Sequence, residues 1–228
     1  MKLEILPDAE AVAAKAATLI AAEARATVAE RGSFTFAVSG GTTPWEMLRA
    51  LAEKAVPWEG VHVLQVDERV VPAGDPERNL THLRENLVAR APIPEDHVHP
   101  MPVEQADLAA AAARYAETIV GVAGDPPVVD LVHLGLGRDG HTASLVPGDP
   151  VLEVRDADVA VTAGPYQGCR RMTLTYPLLA RARRILWLVT GAPKAEMLAR
   201  LRDGDASIPA GRVRADRAVI MADRGVAT

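Results

Sequence analysis

The chain has 228 residues, 49% of them apolar and 24% charged, and carries a formal charge of −5 from 25 basic and 30 acidic residues. That length suits a single α/β domain over residues 1–228, and an acidic balance without a long basic run argues against nucleic acid as a partner. The lone Cys169 excludes an internal disulfide and a cysteine-built metal framework; with no secretory leader after Met1 and no apolar stretch near the ~20 residues of a membrane span, a cytoplasmic protein is expected.

Residues 3–6 read as a first strand. Asp8 is placed to cap a helix whose apolar stripe is Val12, Ala16, Leu19 and Ile20, and Gly32 stops it. Residues 33–38 form a strand that runs into Ser39-Gly40-Gly41-Thr42-Thr43-Pro44. Pro44 suits the first turn of the next helix, which carries Trp45, Leu48 and Leu51. A third strand, 61–66, ends at the charged triplet Asp67-Glu68-Arg69, which by itself reads as a loop. A helix is expected over 79–90, a proline-punctuated connector around Pro92 to Pro102, and another helix over 104–120. Further strands are expected at 128–134, 159–162, 172–175, 185–189 and 218–221, with helices at 177–181 and 193–202. The alternation of strands and helices predicts an open, mostly parallel, Rossmann-like α/β sheet with helices on both faces.

In such sheets ligands bind beyond the carboxyl ends of the strands, and four segments fall there. Residues 39–44 join two glycines, three hydroxyls and a helix start, a pattern suited to an anion. Residues 67–69 bring two acids and an arginine. Residues 135–141, Gly-Leu-Gly-Arg-Asp-Gly-His, satisfy G-x-G-x-x-G, and Asp156 lies at the spacing of a ribose-binding acid. In a dinucleotide loop, however, Asp139 would stand beside a pyrophosphate, and the motif lies past the middle of the chain. Acid–base work by Asp139 and His141 suits this loop better, since imidazole exchanges protons near neutral pH. Lastly, Arg171 and Lys194 each place a cation near a strand end or helix start. No G-x-S-x-G elbow is present, which argues against a serine esterase.

Five segments taken together resemble the 6-phosphogluconolactonase family: 39–44, Asp-Glu-Arg-Val-Val-Pro at 67–72, Gly-Leu-Gly-Arg-Asp-Gly-His-Thr-Ala-Ser-Leu-Val-Pro-Gly at 135–148, Arg-Met-Thr-Leu-Thr at 171–175, and Gly-Ala-Pro-Lys at 191–194. They occur in the family's order and span most of the chain. Glucosamine-6-phosphate deaminases share the fold, but typically continue after Asp-Gly-His toward Phe-Asn-Glu-Pro and carry Tyr where this chain has Arg69. Here the stretch is Ser144-Leu145-Val146-Pro147, without a carboxylate. The chain departs from the lactonases at Arg78, where Ser is usual, and at 219–223, where an aromatic often precedes the Asp.

The resemblance implies hydrolysis of a phosphorylated sugar lactone. His141 would be the general base, with Asp139 or Asp67 orienting it and Arg69 at the lactone. Ser39, Gly40, Gly41, Thr42, Arg171 and Lys194 would hold the phosphate. The sequence requires no metal and no nicotinamide, and a monomer or a small homo-oligomer is expected.

Overall fold

The computed structural model describes residues 1–213 and 217–227. Strand β1 (Lys2–Leu6) leads into helix α1 (Ala9–Arg31). Asp8 caps α1 as expected, accepting from the Ala11 amide at 2.8 Å, and Gly32 ends it in the left-handed conformation at φ 83°. Then come β2 (Phe34–Val38), α2 (Thr42–Ala52), β3 (Val61–Gln65) and a short β4 (Asp67–Arg69). The charged triplet is therefore a strand, not a loop. Helix α3 (Asn79–Leu83) continues as a wider π turn over Arg84–Val88 and is followed by the two-residue β5 (Val98–His99).

Helix α4 (Leu108–Ala123) begins later than its alanine-rich sequence suggests. The reason is Asp107, which accepts from the Ala110 amide at 2.9 Å and sets the start. The rest of the chain gives β6 (Leu131–Gly135), β7 (Val159–Val161), β8 (Arg171–Leu174), α5 (Tyr176–Arg181), β9 (Ile185–Val189), α6 (Ala195–Arg202) and β10 (Ala218–Asp223).

Seven strands form one parallel sheet in the order β1-β10-β9-β6-β2-β3-β5, and β4-β8-β7 form a small antiparallel sheet. Alternate strand residues feed two cores. Val63, Leu186, Leu188, Val219 and Met221 pack with α1 and α2. Leu64, Trp187, Val189, Ile220 and Ala222 pack with α4, α5, α6 and the small sheet. Both faces are thus covered, as a parallel sheet requires. After β2 the chain builds outward through β3 and β5, then fills the other side with β6, β9 and β10. The order reverses between β2 and β6, and a crevice opens there at the carboxyl ends. Among the described residues no helix is long and apolar enough to cross a membrane.

Candidate active site

A cleft of about 440 Å³ lies at this reversal point, lined by β4, the start of α3, the first residue of β8 and the loops that follow β2, β6, β7 and β9. Its lining includes eight of the ten residues singled out above: Ser39, Gly40, Asp67, Arg69, Asp139, His141, Arg171 and Lys194. Gly41 and Thr42 are not among them. They are the N-cap and first residue of α2, and both are exposed. Ser39 lines the cleft, but its donors are committed: its amide meets Nδ1 of buried His133 at 3.3 Å, and its hydroxyl donates to the His133 carbonyl at 3.1 Å. Asp156 lies outside this lining and on the surface, so it gives the dinucleotide reading no support.

The loop after β6 is shaped by its glycines. A Cβ on Gly137 would lie 2.0 Å from His141 Nδ1 and 2.6 Å from Asp139 Oδ1, so the imidazole is seated against the Gly137 backbone. Gly140 adopts φ 81°, and a Cβ there would strike Ile208 at 2.7 Å. A Cβ on Gly135 would meet nothing within 4 Å. The loop closes through Gly137 N to His141 O at 2.9 Å and Gly140 N to Gly137 O at 3.1 Å.

Inside this turn, His141 Nδ1 and Asp139 Oδ1 are 2.5 Å apart. Asp139 accepts through both oxygens, the second from the Tyr166 hydroxyl at 2.8 Å. Its carboxyl is held well below the usual carboxylate range, first by the His141 hydrogen bond and also by that of Tyr166, against the opposing effect of burial. An ionised Asp139 accepts a hydrogen bond from Nδ1–H, the tautomer that leaves a free lone pair on Nε2.

Asp67 has other partners. It is 4% exposed. Its Oδ2 accepts from the Ser144 hydroxyl at 2.7 Å, and its carbonyl from Asn79 Nδ2 at 2.9 Å. Of the two acids considered for orienting His141, Asp139 is the one in contact. Asn79 also shapes the first loop, since a Cβ on Gly40 would sit 2.0 Å from Asn79 Oδ1.

The same cleft collects cations. Arg69 and Arg171 are directly opposed in the β4–β8 ladder, an arrangement of like charges that is unfavourable unless something anionic lies between them. Each has a buried Nε without a hydrogen-bond partner. Lys194 follows β9 on a turn fixed from β10, where the Asp223 carboxylate accepts from the Gly191 amide at 3.1 and 3.2 Å. Burial lowers the Lys194 ammonium pKa, and the nearby Arg138 guanidinium lowers it further, while Asp223 acts in the opposite sense.

Sequence reasoning missed Arg138, Asn79, Tyr166 and Gln167. Arg138 lay inside the quoted loop and Asn79 at a predicted helix start, so both were visible but unassigned. Tyr166 and Gln167 belong to no motif. Among the described residues, no group of three or more His, Cys, Asp or Glu side chains could hold a metal ion.

The fold and cleft define an open parallel α/β protein with an acid–imidazole pair and a cationic pocket at the sheet's switch point. The chain belongs to the family described as glucosamine-6-phosphate isomerases/6-phosphogluconolactonase, whose profile matches residues 7–221. It is 39% identical over 201 residues to a 6-phosphogluconolactonase of Synechocystis, covering 86% of this chain and 83% of the relative. The crystal structure of 6-phosphogluconolactonase from Thermotoga maritima superposes with a TM-score of 0.87 at 27% identity, over 97% of this chain and 98% of that one. A monomeric glucosamine-6-phosphate deaminase gives a TM-score of 0.85 at 20% identity over 100% and 99%, a likeness of fold alone.

Proposed function

We propose that this chain hydrolyses 6-phospho-D-glucono-1,5-lactone to 6-phospho-D-gluconate, the lactone-opening step of the oxidative pentose phosphate pathway. The observation that carries the reading is the Asp139–His141 pair at 2.5 Å in a cleft that also holds Arg69, Arg138, Arg171 and Lys194. Nε2 of His141 takes a proton from water as the water oxygen attacks the lactone carbonyl carbon, a contribution of roughly 10²–10⁴-fold. The carbonyl electron pair moves to oxygen beside a guanidinium, for which Arg69 is the choice. The adduct collapses by breaking the bond to the ring oxygen, and the imidazolium returns its proton to that leaving oxygen. The new acid ionises. Asp139 holds the imidazole and stabilises its charged form.

The phosphate lies farther along the cleft, held by Arg171, Lys194 and the Gly40 backbone, with Arg138 added. Binding it fixes the carbonyl relative to the base. Asp67, locked by Ser144 and Asn79, faces the sugar. The scheme needs no metal and no nicotinamide. Val146 argues against the deaminase alternative, because that buried apolar residue stands where the deaminases carry an acid.

The test is a lactonase assay run beside a glucosamine-6-phosphate deaminase assay. Lactone opening above the spontaneous rate is expected in the wild type and not in His141→Ala. Deaminase turnover without lactonase turnover would overturn the proposal.

A further inference from the structure

The segment between β7 and β8 belongs to none of the motifs, yet it touches the reacting pair. It is a hairpin. The Tyr166 amide bonds the Cys169 carbonyl at 2.9 Å, and the Thr162 amide bonds the Arg171 carbonyl at 2.8 Å. The two residues at its tip, Gln167 and Gly168, have φ of 51° and 96°. Positive φ at both central positions is the mark of a turn that matches the twist of paired strands. Gly168 adopts it freely, whereas Gln167 does so at a cost. Gln167 Oε1 accepts from Arg171 Nη2 at 3.1 Å, which helps hold that conformation.

The hairpin delivers the Tyr166 hydroxyl to the Asp139–His141 pair. It lies 2.8 Å from Asp139 Oδ2 and 3.2 Å from His141 Nδ1. The Tyr166 ring rests under the Arg171 guanidinium, 4.9 Å from ring centroid to Cζ. We propose that Tyr166 is a positioning residue: it pins the second oxygen of Asp139, so that the first is reserved for Nδ1–H of His141 and Nε2 stays the base.

The chemistry requires such a partner. Asp139 is 39% exposed at its side chain and His141 22%, so the pair sits at the cleft wall rather than in the core. Water at Oδ2 would let the carboxylate rotate and share its charge. A fixed phenol does not. Burial, with the hydrogen bond to Asp139, raises the Tyr166 pKa to about 12, so the hydroxyl remains a donor throughout the neutral range. The groups facing it are Asp139, His141 and Arg171, and neutral Tyr166 competes with none of them for charge.

The inference rests on the lactonase reading for its catalytic readout but not for its structural one. Tyr166→Phe keeps the ring and its stack on Arg171 and removes only the hydroxyl. With the phosphorylated lactone, kcat is expected to fall about tenfold or more while KM stays within about twofold, the loss of one hydrogen bond to a charged group. In ¹⁵N spectra of the imidazoles, without substrate, the population of His141 protonated at Nδ1 is expected to fall. Asp139→Asn should lower it further. Unchanged kcat together with an unchanged tautomer population would overturn the proposal. So would a rise in KM at constant kcat, which would make Tyr166 a substrate contact. A wild type without lactonase activity would sink the functional reading instead, and the imidazole spectra would still judge Tyr166.

Discussion

A single methyl group decides whether the acid–base pair can form. The His141 ring lies where a Cβ of residue 137 would be, so Gly137→Ala must move either the ring or the loop. A displacement near 1 Å at the reacting centre costs on the order of 100-fold. We therefore expect Gly137→Ala to lower kcat by about that factor and to leave the unfolding midpoint nearly unchanged. Stopped-flow or pH-stat assay of the lactone gives the first number and a thermal melt the second. Asp139→Asn tests the other half of the pair. An amide no longer selects the Nδ1–H tautomer, and in triads the equivalent change costs about 10⁴ in kcat; a loss of at least 100-fold is expected here. Lys194→Ala acts elsewhere. It should chiefly raise KM for the phosphorylated lactone and narrow the preference over the unphosphorylated one. An unchanged preference would remove Lys194 from the phosphate grip.

At the scale of elements, β4 is held by charge as much as by its ladder. Glu68 is 0% exposed, and its carboxylate accepts from Gln65 Nε2 and from the amides of Arg69, Asn79 and Leu80. Arg78 Nε lies 3.2 Å from it, and Arg78 Nη1 reaches Glu104 at 2.6 Å. Arg78 is thus a buried tie between β4, the start of α3 and the segment before α4. Glu68→Ala would leave the Gln65 side-chain amide and three backbone amides without their acceptor and remove the carboxylate beside Arg78 Nε. A loss of about 3–5 kcal/mol is expected, measurable as a lowered urea midpoint.

This cluster also explains what the sequence could and could not disclose. Long apolar strands such as β9, and helices with an Asp cap such as α1, were legible because their cause is local. A three-residue charged strand was not, because its partner is Arg171–Thr173, more than a hundred residues away in the chain. Likewise β5 has only two residues and takes its place from β3. His141, Asp139, Arg171 and Lys194 could be read because each sits in a motif at a strand end. Tyr166 could not, since its role depends on a hairpin that reaches across from the small sheet.

For the whole molecule, stability should depend on pH through the buried imidazole of His133 and the half-buried ones of His62 and His99. His62 and His99 lie 3.1 Å apart, Nδ1 to Nε2, with the His97 ring tilted against His62 at 4.1 Å between centroids. Burial lowers the pKa of both, and that of His99 reaches about 4. Burial alone takes His133 to about 3. An unfolded imidazole titrates near 6.5. Because the folded values are lower, the unfolded chain binds more protons as the pH falls. The stabilisation is complete above about 6.5 and is lost progressively as the pH falls toward 4. Urea midpoints should therefore drop between pH 7 and pH 5, and His99→Gln should flatten part of that drop. A midpoint constant over this range would refute the account.

The last strand carries a consequence for biosynthesis. β10 is inserted between β1 and β9, and β1 has no other strand partner among the described residues. Asp223 at its end also fixes the turn that bears Lys194. On the ribosome, a nascent chain can form the β2–β3–β6 region and its acid–imidazole loop early. Until residues 218–223 emerge, however, β1 and β9 face each other across a gap and the Lys194 turn has no anchor. The cleft's cationic wall is therefore completed late in synthesis, and the half-made protein must keep two unpaired strand edges out of contact with other chains until then.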